Sequence, residues 1–235
     1  MYNIINYKNL KKNFKLYLFE NCQLCEYFKS GEIWEPHVLK VFDEYLNKDS
    51  VCIDAGAHIG YHTIYMSSIV QRVHAFECNN KTYEKLRKNI QSNKINNVNL
   101  YKYGLTDKKT NDIYIAFFNQ SNTGASGLSN NPMKTPEYFE PLKKKQTVNM
   151  MTIDDLNLSK LDFIKIDVEG YERKVIDGAM KTINKYKPII LMEVWENHHG
   201  STSLEHTKKL FNDLLNIYNI IRLDFTCDYL FIKKV

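Results

Sequence analysis

The sequence lacks any run approaching the roughly 18–20 apolar residues that a membrane-spanning helix needs. Its opening stretch, MYNIINYKNLKKNFKLYLFENC, is amphipathic and studded with lysine, without the clean apolar centre of a signal peptide. A soluble, cytoplasmic protein with no membrane span is therefore expected. Arginine is scarce: Arg72, Arg87, Arg173 and Arg222 are the whole supply, and lysine carries most of the positive charge. Arginine is the usual bidentate reader of phosphate, and the net charge is only +5, so a dedicated nucleic-acid binder is not indicated. Cys22 and Cys25 form one C-x-x-C, but no second pair stands at zinc spacing, and Cys52, Cys78 and Cys227 are isolated. Reduced thiols are expected, with a redox or metal role left open for Cys22 and Cys25. Internal repeats and domain linkers are absent as well. So are the phosphate-cradling G-x-x-x-x-G-K-[ST] and the dinucleotide pattern G-x-G-x-x-G.

What is present is an alternation. Residues 1–48 read as a helical extension, because Val38, Leu39, Val41, Phe42, Tyr45 and Leu46 recur at helical spacing and Pro36 suits a first helical turn. An apolar strand over 51–55 ends at Gly56, and a helix is predicted from Gly60 to about Val70. RVHAFE (72–77) reads as a second strand, TYEKLRKNI (82–90) as a helix and VNLYKYGL (98–105) as a third strand. Such tight alternation predicts an α/β fold with right-handed crossovers and a doubly wound, mostly parallel sheet. DIYIAFF (112–118) and TVNMMTI (147–153) read as an inserted hairpin flanking a long polar loop, 119–141. Alternation resumes with DFIKID (162–167), a helix through Val175 and Ile183, the strand PIILMEV (188–194) and a helix near 203–218. The closing IIRLDF and YLFIKK are joined by a turn too short for a crossover and should pair antiparallel.

In open α/β sheets, ligands bind beyond the carboxyl ends of the strands. Four strand ends here carry acids: Asp54, Glu77, Asp167 with Glu169, and Glu193. Glu77 lies 23 residues after Asp54, the distance at which an acid can accept both hydroxyls of a ribose. Gly56 allows close approach of the backbone to a ligand. In GAHIG, His58 occupies the place where a pyrophosphate would require glycine, so a phosphate-free cofactor with a ribose fits better: S-adenosylmethionine. Gly56 and Gly60 alone also fit a plain strand-to-helix turn, and Asp167 and Glu169 could simply cap the next helix.

The stretches CIDAGAHIGYHT, VHAFECNNKTYEKLRKNI, MTIDDL, FIKIDVEGYERKVIDGA and PIILMEV resemble the FkbM-type family of class I S-adenosylmethionine-dependent O-methyltransferases, from Trp34-Glu35-Pro36 to Glu193. Two positions depart from the family's pattern, His58 where Asn is usual and Cys78 where Pro is usual. The resemblance implies a seven-stranded sheet with its last strand antiparallel. A methyltransferase domain over 49–235 is expected, and the length and the Gly and Ser of its polar loop predict a lid-like insertion at about 112–153. It also implies that Gly56, His58 and Gly60 lie under the cofactor and that Glu77 holds its ribose. Cys78 would flank the cofactor, Asp107 would be a partner of the adenine amino group, and Asp54 would face the methionine amino group or order the loop.

A sulfonium methyl group is already activated, so such a site must align acceptor, methyl and sulfur and remove the acceptor's proton. Asp167, Glu193, His198 and His199 are the candidate bases, the two histidines lying just beyond the strand that ends at Glu193. A divalent cation held by Asp167, Glu169 and Glu193 is a possible but less favoured route. His37, His62, His74 and His206 read as structural or solvent-facing, and Lys143-Lys144-Lys145 as a solvated loop end that could attract a phosphate-bearing acceptor. The expected activity is O-methylation of a hydroxyl on a sugar, nucleotide sugar or glycan. An RNA 2′-O-methyltransferase and a non-catalytic cofactor-binding module are the alternatives. Nucleic acid is not an expected partner, and homo-oligomers are open.

Overall fold

The structure, a computed structural model, describes residues 3–8, 13–20, 22–108, 114–116, 123–125, 128–129, 146–194, 204–223 and 226–234. Four elements precede the main sheet: β1 (Asn3–Lys8), β2 (Asn13–Leu18), α1 (Gln23–Ser30) and α2 (Pro36–Tyr45). The alternation follows as β3 (Val51–Ala55), α3 (Tyr61–Ser67), β4 (Arg72–Phe76), α4 (Asn80–Ser92) and β5 (Val98–Tyr101). Short strands β6 (Gly104–Leu105), β7 (Tyr114–Ala116), β8 (Leu128–Ser129), β9 (Gln146–Val148) and β10 (Met150–Met151) come next. The chain then runs through β11 (Phe163–Ile166), α5 (Glu172–Asp177), α6 (Met180–Tyr186), β12 (Ile189–Glu193), α7 (Leu204–Leu215), β13 (Tyr218–Arg222) and β14 (Asp228–Lys233).

Seven strands form one sheet in the order β13-β14-β12-β11-β3-β4-β5. The pairs from β12 through β5 are parallel, whereas β14 runs antiparallel to both β12 and β13. The change of strand order at β3 puts the crossovers on both faces, as a doubly wound sheet requires. The period of two then decides which side chains face which layer. Cys52, Phe163, Leu191 and Leu230 pack toward the N-terminal elements and α3 and α4. Ile53, Ile164, Ile166, Ile190, Met192 and Phe231 join the opposite cluster with residues of α5, α6 and α7. The inserted segment forms a separate three-stranded sheet, β8-β7-β9, where a hairpin was expected.

The helical reading of residues 1–48 fails over its first part. Asn3–Lys8 and Asn13–Leu18 form an antiparallel hairpin, and only α1 and α2 are helical. The reason is a period of two within NFKLYL: Phe14, Leu16 and Leu18 are buried while Asn13 and Lys15 are exposed. The hairpin is fastened to α4 by the fully buried Asn89, whose Oδ1 accepts from Tyr17 N at 2.7 Å and whose Nδ2 donates to Ile59 O at 2.7 Å. Gly104–Leu105, expected to continue β5, instead pairs with Met150–Met151. Among the described residues no helix is long and apolar enough to cross a membrane.

The hairpin makes a direct prediction. Leu16→Ala should cost about 2–5 kcal/mol, the usual cost of emptying a packed leucine site. Lys15→Ala, on the outer face, should stay within about 0.5 kcal/mol. Chemical denaturation of the two variants checks the alternation.

Candidate active site

The carboxyl ends of the parallel strands open into a cleft of about 630 Å³, a size that suits a cofactor-sized ligand. The alternation that buries Cys52, Phe163 and Leu191 brings Asp54, Lys165 and Glu193 to the same sheet face two residues further on. Lys165 and Asp54 are register partners on neighbouring strands. The Lys165 ammonium lies 3.0 Å from Asp167 Oδ2 and 4.0 Å from Asp54 Oδ1. Lys165 is 4% exposed and Asp54 0%.

Buried ions need partners, and this cluster divides its charge unevenly. Burial works against the Asp167 carboxylate. Lys165 and a hydrogen bond from Glu193 nevertheless hold its pKa below the ordinary carboxylate range. Glu193 moves the other way: burial, the Asp167 charge and the hydrogen bond it donates to Asp167 all favour its protonated form. Burial, then the Asp167 charge, pushes Glu35 up to about 8, and Glu169 also shifts upward through burial and Asp167. Burial raises Asp54 too, against the pull of Lys165 and the Thr63 hydroxyl, so the one cation holds Asp167 ionised while the surrounding acids are pushed toward their protonated forms.

The turn after β3 is built from left-handed residues: Gly56 at φ +84°, His58 at +51° and Gly60 at +93°. Glycine at 56 has a reason beyond ligand approach. A Cβ there would fall 1.7 Å from the Asp167 carbonyl oxygen, so Gly56 is what lets β3 and β11 end side by side. At Gly60 a Cβ would meet Leu86 Cδ1 at 2.6 Å. Glu77 ties the turn to the next strand end. Its Oε2 accepts from His58 N at 3.1 Å and its Oε1 from Asn79 N at 2.7 Å. Burial raises Glu77 to about 7 against the pull of these N–H groups.

Asp54, Gly56, His58, Glu77, Cys78, Asp167 and Glu193 all line the cleft. Gly60 lies at the far end of the turn, as the residue before α3. Asp107 does not join the lining: it is exposed and accepts from Thr106 Oγ1 at 2.9 Å. Burial lowers His58 to about 4, which leaves the ring neutral, and Cys78 is pushed well above the ordinary thiol range by burial and the adjacent Glu77. His198, His199, Lys143–Lys145 and nearly all of loop 119–141 lie outside the described residues. Among the described residues no group of three or more His, Cys, Asp and Glu is arranged to hold a metal ion.

Lys165 and Glu35 were not singled out from the sequence. The signal for Lys165 was a charge inside the otherwise apolar FIKI, on the inward face of a strand. Glu35 gave none, because its place depends on the φ of +46° that turns the chain into α2 at Pro36.

The cleft accommodates S-adenosylmethionine on three counts. Asp54 Oδ1 is buried and accepts no hydrogen bond, with the Lys165 ammonium 4.0 Å away, so it can take a hydrogen bond from a further donor. The Glu77 carboxylate takes backbone N–H groups from His58, Asn79 and Cys78 and keeps acceptor capacity for a hydroxyl. Phe76, Leu105 and Val168 supply apolar walls.

Sheet order, left-handed turn and strand-end acids define a class I methyltransferase fold of the S-adenosylmethionine-dependent type. Residues 54–227 match the methyltransferase FkbM domain, and the chain belongs to that family. It is 27% identical over 190 residues to hexuronic acid methyltransferase AglP of Haloferax volcanii, covering 76% of this chain and 72% of the relative. It is 27% identical over 147 residues to methyltransferase 1 of Beauveria bassiana, covering 55% and 58%. The crystal structure of methyltransferase FkbM from Methylobacillus flagellatus aligns with a TM-score of 0.51 at 17% identity, over 83% of this chain and 50% of that one. A Streptococcus mutans protein in complex with SAH aligns equally well at 13% identity, over 85% and 97%. The chain thus spans little more than half of the Beauveria relative and half of the Methylobacillus chain.

Gly56→Ala should destabilise the fold by at least about 3 kcal/mol, since it forces both a left-handed alanine and a backbone collision. A denaturation midpoint unchanged from the parent protein would show that β3 and β11 end further apart than described.

Proposed function

We propose that this protein transfers a methyl group from S-adenosylmethionine to a hydroxyl of a sugar or glycan. The observation that carries the reading is one cleft with two ends. Glu77 and the Gly56–Gly60 turn form one end, and the Lys165-bound Asp167 beside protonated Glu193 forms the other. S-adenosylmethionine, when bound, supplies an activated methyl group on a sulfonium. Glu77 would accept the ribose hydroxyls, and Asp54 Oδ1, which accepts no hydrogen bond, would receive the amino group of the methionine moiety. Gly56, His58, Gly60 and Cys78 would shape the bed beneath it.

Asp167 is the base. Lys165 keeps it ionised, and a carboxylate within reach of the acceptor hydroxyl can take its proton as the new bond forms. Glu193 cannot take that proton while it holds its own, and serves as donor to Asp167. The hexuronic acid methyltransferase among the relatives supports a glycan acceptor. The cleft offers RNA phosphates little to hold: among the described lining residues Lys165 is the one lysine, no arginine joins it, and Lys165 is already engaged by Asp167. Thr123 and Gly124, within the insertion at about 112–153, line this cleft, which supports a lid role for the insertion.

Titration calorimetry with S-adenosylmethionine and SAH tests the cofactor half. Glu77→Gln keeps an acceptor for the turn but loses the charge, and should weaken binding at least about tenfold, since charge-assisted bonds contribute roughly 1.5–3 kcal/mol each. Because Glu77 titrates near 7, the parent's affinity should rise with pH from 6 to 8 as the carboxylate ionises, and the Gln variant should lose that rise. A pH-independent parent affinity would remove Glu77 from the ribose site.

Methyl-donor assays over neutral sugars, uronates and nucleotide sugars test the acceptor half. Asp167→Asn should cut turnover by about 10²–10⁴ with SAH affinity kept within a few-fold. Turnover lost to a chelator and restored by magnesium would instead assign hydroxyl activation to a bound cation.

A further inference from the structure

The C-x-x-C pair takes no part in this chemistry, yet it is wired to the cleft. Cys22 immediately precedes α1 and Cys25 is its third residue, and both side chains are fully buried. The Cys25 thiol donates to the Cys22 sulfur. Cys22 Sγ also lies 3.1 Å from Thr123 Oγ1, and Thr123 N–H points at the same sulfur from 3.5 Å. Thr123 Oγ1 is in turn 2.9 Å from His58 Nε2, and His58 N donates to Glu77. A single run of hydrogen bonds thus joins Cys25, Cys22, Thr123, His58 and Glu77. Gln23 and Leu24, between the cysteines, and Thr123 and Gly124, above them, line the cleft, so the two sulfurs sit directly behind its wall.

Three donors on one sulfur at the start of a helix favour the thiolate. The hydrogen bond from Cys25 lowers Cys22 to about 5 against burial, with Thr123 assisting, while Cys25 is pushed strongly upward. This is the division of labour of an attacking and a resolving thiol.

We propose that Cys22 and Cys25 form a thiol–disulfide exchange site for low-molecular-weight disulfides, and that its redox state sets the grip of the His58 turn on the cofactor. The Cys22 thiolate attacks one sulfur of the small disulfide, whose S–S bond breaks and releases one thiolate that takes up a proton from water. Cys25 then attacks Cys22 of the mixed disulfide, giving up its proton to the second departing thiolate. Two protein thiols are oxidised and one small disulfide is reduced to two thiols.

The consequence follows from the donor count. A thiolate accepts from the Thr123 hydroxyl and N–H together, and the hydroxyl oxygen is then oriented to accept from His58 Nε2. A disulfide sulfur is neutral and a poor acceptor. Oxidation therefore releases Thr123, and with it the side-chain anchor of His58, at the turn that carries the Glu77 contact. Burial of the pair requires the Thr123 turn to lift before exchange, so a ligand that fills the cleft slows the reaction.

Incubation of the full chain with oxidised glutathione, followed by mass spectrometry and SAH titration, tests this. Expected are the loss of two hydrogens, a Cys22–Cys25 crosslinked peptide, and SAH affinity weakened about three- to tenfold, as for one lost hydrogen bond. Dithiothreitol should restore both readings. Cys25→Ser should keep the reduced protein's affinity and retain one glutathione on Cys22. Thr123→Val should show the weakened affinity with or without oxidant. Differential alkylation of the parent protein reads each thiol without any variant. Cys22 and Cys25 both remaining alkylatable under conditions that oxidise a dithiol peptide would overturn the site. A crosslink with SAH affinity unchanged would overturn the coupling. The crosslink is scored by mass alone, so a protein that binds no SAH at all would refute the cofactor assignment separately.

Discussion

A single ammonium group organises the cleft. Lys165 sits inside a parallel strand where the alternation would place an apolar side chain, and it lies between Asp54 and Asp167 with almost no access to solvent. A charge in that position is tolerated only with partners in reach, and removal of one member of a buried pair typically costs about 3–5 kcal/mol. The reach is supplied by register: β3 and β11 are parallel neighbours with Asp54 opposite Lys165. Were β3 shifted by one residue, Asp54 would turn to the other face and Lys165 would keep Asp167 as its one acidic partner of the two. The ion cluster and the strand register therefore specify each other.

The same cluster sets the proton inventory around it. With Lys165 committed to Asp54 and Asp167, the cleft has no further lysine or arginine among its described lining residues to serve Glu35, Glu169 and Glu193. Burial and the Asp167 charge hold those three in their protonated forms. Acids of one kind at adjacent strand ends thus differ in protonation, Asp167 ionised and Glu193 holding its proton. The turn after β3 belongs to the same arrangement, because Gly56 has no side chain to hold the Asp167 backbone away. Glu77 serves it twice, closing the turn through His58 N and offering its remaining lone pairs to the cleft.

The N-terminal elements complete this arrangement rather than decorating it. Phe14, Leu16 and Leu18 of β2, Cys25 and Phe28 of α1 and Val38, Leu39, Val41 and Phe42 of α2 share one apolar cluster with α3, α4 and the inner face of the sheet. Trp34 and Glu35, on the link between α1 and α2, reach the cleft, and His62 of α3 stands 3.3 Å from the Glu35 carboxylate. Asn89 holds hairpin and turn at once, so the segment that precedes the main sheet also supports the bed of the cofactor site.

Much of this was determined by sequence alone. The period of the apolar residues and the glycines at strand ends specified the parallel α/β architecture, the antiparallel last strand and the acids Asp54, Glu77, Asp167 and Glu193 at one rim. These are local properties, in which spacing along the chain maps directly onto a face or an end of an element. The family resemblance carried by CIDAGAHIGYHT and FIKIDVEGYERKVIDGA named the class for the same reason. Three things were decided only by tertiary structure. The β1–β2 hairpin was misread as helix because a short lysine-rich stretch fits either period, until a partner surface on α4 selects the strand. Asp107 lies outside the cleft lining because the bend two residues beyond β6 leaves it exposed and bonded to Thr106. The roles of Lys165, Glu35 and Gly56, and the difference in protonation between Asp167 and Glu193, arise from charges and backbone atoms that are distant in sequence. No spacing rule reports them, because electrostatic coupling acts through space and only the packed sheet brings those groups together.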